Sequence, residues 1–230
     1  MYFSQELVPG KLVRRYKRFL ADVELENGDI VVAHCTNSGT MKTCLEENAP
    51  VYLSPATDPK RKTRFSWEMI FINNSWVGVN TMIPNQLVYE AIVSKEIEGL
   101  DNYSVVKREV KFEDSRLDVY AENEVEKCFV EVKNVSMKVE EGALFPDAVT
   151  SRGLKHLHTL MRIKKQGMRA VMVYVVQRTD VSFFGLAEDI DPVYAEALKE
   201  AMINGVEVFS IQAVVSPKGI YLNKLLEIRI

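Results

Sequence analysis

No stretch of this chain is apolar for long enough to cross a bilayer: the longest run, Ala170 to Val176, falls far short of the roughly 20 residues a spanning helix needs. Cysteine is scarce. Cys35, Cys44 and Cys128 are an odd number, and with His34 they lack both the spacing and the fourth ligand of a structural zinc site. They read as ordinary thiols, and a reduced, cytoplasmic setting fits them best. Histidine is scarce too. His156 and His158, two apart on an expected helix, point away from each other, which excludes an i,i+4 zinc pair. Neither GxxxxGK[ST] nor a strand-coupled GxGxxG occurs, so nucleotide hydrolysis is disfavoured. Met1-Tyr2-Phe3-Ser4-Gln5-Glu6 carries no basic region, apolar core or small-residue cleavage site, and no secretory signal is expected. An excess of positive charge is also missing. With a net charge of -3 and a pI near 5.8, any contact with nucleic acid must rest on local clusters of basic residues.

What is present is the texture of a globular protein. The 230 residues, 47% hydrophobic and 27% charged, suffice for one large or two small domains, each with its own core. Residues 1–80 read as short β segments separated by the turn signals Asn27-Gly28, Asn37-Ser38-Gly39, Asp58-Pro59 and Asn73-Asn74, which suits a small barrel or sandwich. After Pro84 helices and strands alternate, and residues 81–230 read as a second domain. A helix is expected over Asn85–Ile97, burying Leu87, Val88, Ala91 and Ile92. Strands follow at Tyr103–Phe112, Arg116–Tyr120 and Lys127–Lys133. Then come a helix over Ser151–Lys165 closed by Gly167, with Leu154, Leu157 and Met161 as its buried stripe, and the nearly continuous apolar strand Arg169–Val176. Asp191 as N-cap, Pro192 and Gly205 frame a further helix before the strand Val206–Val214. The order is αβββαβαβ.

The chemistry concentrates in one hairpin. Residues two apart on a strand share a face, so Phe129, Glu131 and Lys133 lie opposite Cys128, Val130 and Val132. On the preceding strand Arg116, Asp118 and Tyr120 share the polar face, and Leu117 and Val119 the apolar one. With the turn centred near Glu124-Val125, Asp118 lies directly opposite Glu131. The Cβ atoms of such a pair are about 4.5–5.5 Å apart, and like charges there repel. A divalent cation would compensate. Mg2+ or Mn2+ prefers oxygen ligands, and bound there it would polarise a phosphodiester and activate water, while Lys133 orients that water or stabilises developing negative charge. A solvated cross-strand ladder of ion pairs gives the same sequence pattern.

Two basic segments accompany this hairpin. Lys11, Arg14, Arg15, Lys17 and Arg18 contain no acid among them and are interleaved with Tyr16 and Phe19. Lys60-Arg61-Lys62-Thr63-Arg64 precedes Phe65 and Trp67. Cations that neutralise phosphates beside rings that stack on bases build a backbone-tracking groove, and a solvated strand face has the same composition. Arg152, Lys155, His156 and Arg162 share the helix expected after Thr150.

Together with Val79–Asn85, Phe145–Leu157 and Val175–Arg178, the hairpin residues closely resemble the sugar fermentation stimulation protein A family. The likeness extends through Arg14–Phe19, Ala33–Gly39 and Arg61–Phe65, and so spans nearly the whole chain. It implies an N-terminal OB-like barrel followed by a PD-(D/E)XK nuclease-like domain, with binding to DNA mainly through its phosphate backbone. In that pattern Asp118 is the motif aspartate and Glu131-Val132-Lys133 the acid-x-lysine triplet. The resemblance makes Glu90 on the first helix a candidate third metal ligand, where an ordinary surface glutamate gives the same sequence; Gln177, which follows the buried strand, is placed either to meet the site from its end or to serve as a plain strand-end polar residue. The resemblance assigns DNA contact to Arg14, Arg15, Lys17, Arg18, Phe19, Lys62, Arg64, Arg152 and Lys155. Leu117 replaces the proline of the motif's name, and Thr36 stands where the family has proline. The alternative the resemblance allows is a non-catalytic, largely sequence-independent DNA-binding regulator linked to sugar (maltose) metabolism.

Overall fold

A computed structural model describes residues 1–230. The strands β1 (Val8–Tyr16), β2 (Leu20–Leu25), β3 (Ile30–His34), β4 (Pro50–Pro55), β5 (Phe65–Ile72) and β6 (Ser75–Gly78) form one sheet in the order β3-β2-β1-β4-β5-β6. A parallel pairing of Ala33 with Phe65 and His34 with Ser66 joins β3 to β5 and closes the first five strands into a barrel. The register of β1 on β2 shifts between Leu12 and Arg14, an irregularity of the kind that lets a strand bend around a small barrel. Leu12, Val23, Leu53, Trp67 and Ile70 fill the interior. At the β1–β2 turn Lys17 and Arg18 are both left-handed, with φ of 50° and 64°, as a tight hairpin requires, and both side chains are exposed.

The rest of the chain runs through α1 (Ile83–Val93), β7 (Val105–Phe112), β8 (Ser115–Glu122), β9 (Lys127–Val135), β10 (Lys138–Val139), β11 (Gly142–Phe145), α2 (Ser151–Lys165), β12 (Arg169–Val176), β13 (Phe183–Leu186), α3 (Pro192–Ile203), β14 (Glu207–Ser216), β15 (Gly219–Leu225) and β16 (Glu227–Arg229). The central sheet has the order β15-β14-β12-β9-β8-β7, with β12 parallel to both β9 and β14. One face of this sheet packs on α1 through Leu87, Val88 and Ile92, the other on α2 and α3 through Leu157, Leu160 and Leu198. With both faces covered, Ala170 to Val176 are all fully buried, which is why that strand is apolar without alternation.

The expected αβββαβ order is present, and α2 and β12 have the expected bounds. α1 differs: it starts at Ile83 with Pro84 in its first turn and stops at Val93, four residues before Ile97. There the Ser94 hydroxyl donates to Glu90 O, and Lys95 turns left-handed with φ 59°. The second, four-stranded sheet β10-β11-β13-β16 was not expected from the sequence.

Barrel and α/β domain meet along a continuous hydrogen-bonded seam. Gly78 N donates to Gln177 O at 2.8 Å, and Gln177 Nε2 donates to Asn80 O at 3.1 Å and Asn134 Oδ1 at 2.8 Å. Arg178, fully buried, forks onto Asp180 at 2.7 and 2.8 Å and donates to Ser136 O, which also accepts from Cys44 of the barrel. Gln177 therefore fastens the two domains, whereas its strand-end position suggests that it meets the site; it does not line the cleft. Thr36 accepts from Thr81 N at 3.0 Å through its hydroxyl, a bond that a proline at this position could not make.

Candidate active site

The β8–β9 turn falls at residues 123–126, where Asn123 Oδ1 accepts from the backbone N–H groups of Val125 and Glu126. The ladder then runs from Glu122 with Lys127 to Val119 with Val130. Continuing that register places Asp118 opposite Glu131, as expected, but regular pairing ends one step short of them. Val132 N–H donates to the Asp118 carboxylate, Oδ2, at 2.8 Å. On the other side, the β7–β8 ladder skips Asp118, because Glu109 across from it is left-handed with φ 56°.

Asp118 thus sits where β8 is released from both neighbours, and the alternation of β8 breaks at this point. Leu117 does not share a face with Val119. It is buried with Tyr120 and Phe129 on the α2 side, whereas Val119 and Ala121 face α1. The second oxygen of Asp118 accepts from Asn85 Nδ2 at 2.5 Å, so the first turn of α1 holds this carboxylate in place.

Glu131 is 2% exposed. Its Oε1 accepts from Lys133 Nζ at 2.6 Å and from Nδ1 of the buried His156 on α2. Its Oε2 is buried without any partner. The electrostatics of the two acids diverge. Burial alone would raise the pKa of Glu131, but the charge of Lys133 and the hydrogen bond from His156 reverse the effect and leave it below the usual value. Asp118 is pushed up to about 7, first by burial and second by the charge of Glu131, against the opposing pull of Val132 N–H and Lys133.

Both acids open onto a cleft of about 630 Å³ between the domains. One wall is the barrel segment 36–40, the other residues 144–150 and the start of α2. Thr40 Oγ1 donates to Asp147 O at 2.9 Å and Met41 N to Asp147 Oδ2 at 3.1 Å, closing the two walls on each other at one end.

The other expected residues separate into groups. Glu90 is not brought to the site: it is exposed, accepts from Gln86 Nε2 at 2.7 Å, and lies well around the helix from Asn85, which faces Asp118 instead. Arg15 lines the cleft, but its guanidinium donates to the carbonyls of Arg18, Asn37, Gly39 and Thr40, so it clamps the 37–40 segment and is not available to phosphate. Arg14 is paired with Asp22 at 2.8 Å and Lys155 with Asp114 at 3.0 Å, and neither lines the cleft. Arg162, next along α2, is held by Glu113 and Asp114. Arg64 donates to Pro59 O, and it and the exposed Lys62 lie on the β4–β5 connection away from the cleft. Arg18 and Arg152 are exposed cations that line the cleft and carry no ion pair, with Lys17 and the half-exposed Phe19 beside Arg18 on the hairpin turn. Asn85 and His156 were not picked out as site residues from the sequence. An asparagine carries no charge signal, and the sequence shows His156 only as one of the basic residues along α2 and as half of a histidine pair.

The donor set fits a hard divalent cation. Such an ion would take up the unpartnered Oε2 of Glu131 and replace the proton that Asp118 otherwise holds near neutral pH. No third His, Cys, Asp or Glu completes a metal-binding cluster, so waters, main-chain carbonyls or phosphate oxygens would supply the remaining ligands, as Mg2+ commonly arranges. The three cysteines are free and buried, and burial raises the pKa of each, in keeping with inert thiols.

Comparison with known proteins extends over the whole chain. The family description "Sugar fermentation stimulation protein RE domain" matches residues 82–219, and "SfsA N-terminal OB domain" matches residues 13–79. A sugar fermentation stimulation protein homolog of Geobacter metallireducens is 47% identical, with 99% of each chain covered. One of Geotalea uraniireducens is 46% identical over 97% of each. Among solved structures, one described as Pyrococcus furiosus SfsA in complex with Ca2+ superimposes with a TM-score of 0.91 at 27% identity, covering 100% of this chain and 98% of that one. The barrel is therefore an OB domain, and the α/β domain follows it as in that structure.

Proposed function

The chain belongs to the sugar fermentation stimulation protein family, and from that membership and the cleft between its domains we propose that it binds DNA through the phosphate backbone and hydrolyses phosphodiesters with a divalent metal. The observation that carries the reading is the opposed pair Asp118 and Glu131, with one buried oxygen unpartnered and one carboxylate pushed toward neutrality. A relative described as a Ca2+ complex adds support for a divalent ion, and Mg2+ or Mn2+ is the ion proposed for catalysis. Such a cation supplies positive charge to a phosphate oxygen and makes water a better nucleophile.

The chain's own residues would do the rest. Asp118 and Glu131 hold the cation. Asn85 and Val132 N–H fix the orientation of Asp118. Lys133, at 15% side-chain exposure, brings the one cation at the base of the site that can stabilise charge developing on the phosphate. Arg18 from the barrel and Arg152 from α2 contact flanking phosphates from opposite walls.

The missing third acid favours a second reading, a DNA-binding regulator in which the same acids are catalytically silent. Incubating the protein and Asp118→Asn with labelled single- and double-stranded DNA in Mg2+, Mn2+ or EDTA separates the two. Metal-dependent cutting by the parent alone is the expected result. Equal binding with no cutting by either protein selects the regulator.

A further inference from the structure

Glu131 presents an asymmetry that the acid-x-lysine triplet does not account for. Both of its oxygens are in the same buried pocket, yet Oε1 has two donors and Oε2 has none. A buried acceptor without a donor is costly, so something must hold the carboxylate in this orientation against rotation that would share the donors between its oxygens. Lys133 is a poor candidate for that task, because its ammonium sits on a flexible four-carbon stem. His156 is a better one. It is 5% exposed, its ring is planar, and it arrives from α2, a different element from the strand that carries Glu131.

The position of His156 is itself fixed by the helix. The Thr150 hydroxyl caps α2 by accepting from Gly153 N at 3.0 Å, and Thr150 N donates to Asp191 Oδ2 at 2.8 Å. One turn further on, Thr159 Oγ1 lies 2.9 Å from the hydroxyl of Ser115, which ties α2 to the start of β8. Gly153 lets the Thr150 cap and Tyr194 of α3 pack closely on the first turn of α2, since a Cβ there would meet the Thr150 side chain at 2.8 Å and the Tyr194 ring at 3.0 Å. An ionised carboxylate only accepts, so Nδ1 donates where it meets Glu131, and Lys133 Nζ, 3.1 Å from the same nitrogen, gives its hydrogen to Oε1 instead.

We propose that His156 is the positioning residue of the metal centre: through Nδ1 it holds Glu131 Oε1 and reserves Oε2 for the cation. This inference rests on the metal-dependent reading above. Outer partners that orient a ligating group are typically worth about 10–100-fold in metal affinity.

The test is a titration of the full chain with Mn2+, read by calorimetry in the absence of DNA. Parent, Asp118→Asn, His156→Leu, His156→Asn and His156→Gln are compared, with the fold of each followed by circular dichroism. An asparagine amide stands near the place of Nδ1, a glutamine amide near that of Nε2. Parent binding that Asp118→Asn abolishes sustains the metal reading; no saturable binding by the parent, or unchanged binding by Asp118→Asn, removes it. Given that reading, His156→Leu is expected to lose about 10–100-fold in Mn2+ affinity and His156→Asn to recover most of it. If folded His156→Leu binds within about twofold of the parent, the positioning role is overturned while the metal centre stands. If His156→Leu does not fold, the comparison of asparagine with glutamine decides: affinity nearer the parent for asparagine supports the proposal, and equal or reversed affinities overturn it.

Discussion

Replacing Asp118 by asparagine should make the metal-free protein progressively more stable, relative to the parent, as the pH rises. The folded pKa of Asp118 is about 7 against 3.8 for the ordinary side chain, so the native state binds its proton more tightly than the unfolded chain does. A carboxyl raised in this way favours folding fully below 3.8, and that contribution disappears as the pH climbs toward about 7. Asparagine does not titrate. Its amide keeps both contacts if Oδ1 accepts from Val132 N and Nδ2 donates to a turned-over Asn85 amide, and that arrangement does not titrate in the variant. The pH dependence of the difference between variant and parent therefore isolates the carboxyl. Between about pH 5 and pH 8, roughly two pH units lie below the folded pKa, worth about 2–3 kcal/mol at 1.36 kcal/mol per unit. At about 2–4 °C per kcal/mol for a chain of this size, the gap in midpoint should widen by roughly 5–10 °C. Urea or thermal unfolding of both proteins in EDTA across that range measures it. A difference that stays flat with pH would mean that Asp118 is neither buried nor close to an ionised Glu131, and the geometry argued for the site would fail with it.

Adding Mn2+ or Ca2+ should stabilise the parent by about 2.7 kcal/mol at a hundredfold excess over Kd and leave Asp118→Asn unmoved, which a thermal shift assay resolves. In DNA binding, Arg18→Ala and Arg152→Ala together should reduce the slope of log K against log salt by about 2, at 0.9 per phosphate released. Arg14→Ala and Lys155→Ala should barely change it, since both cations are committed to Asp22 and Asp114; slopes from fluorescence anisotropy that respond equally to all four would undo the assignment of the cleft as the interface. Gly39→Ala places a methyl against the Asp147 carboxylate that accepts from Met41 N, and should cost about 1–3 kcal/mol in chemical denaturation by breaking that link between the cleft walls.

What the sequence made visible was whatever it encodes locally. α2 and β12 have their expected ends because a cap, a closing glycine and an uninterrupted apolar run lie within the segments themselves. The Asp118–Glu131 register followed from alternation across a short turn. The misses came where distant segments decide. Strands β10, β11, β13 and β16 are two to four residues long and exist only through pairings to one another, most of them parallel, so no local period announces them. The sequence extends α1 too far because Ile97 continues the apolar pattern, and Ile97 is indeed buried in the same core, though from a non-helical segment. Alternation alone puts Leu117 on the wrong face because Glu109, on the neighbouring strand, breaks the ladder. Charge alone could not tell Arg18, free at the cleft, from Arg15, whose two terminal guanidinium nitrogens donate to main-chain carbonyls.

The seam through Gln177 has a consequence for how the protein can be taken apart. Deleting the barrel would strip Gly78 and Asn80 from a glutamine that is fully buried, and would uncover Cys44's partner, the Ser136 carbonyl. Excising the α/β domain would open the barrel side of the same contacts. Each half would carry unpaired polar groups along this seam, so separate expression of the two would report on damaged edges as well as on a division of labour, and the functions of barrel and α/β domain are better dissected by single side chains within the intact chain.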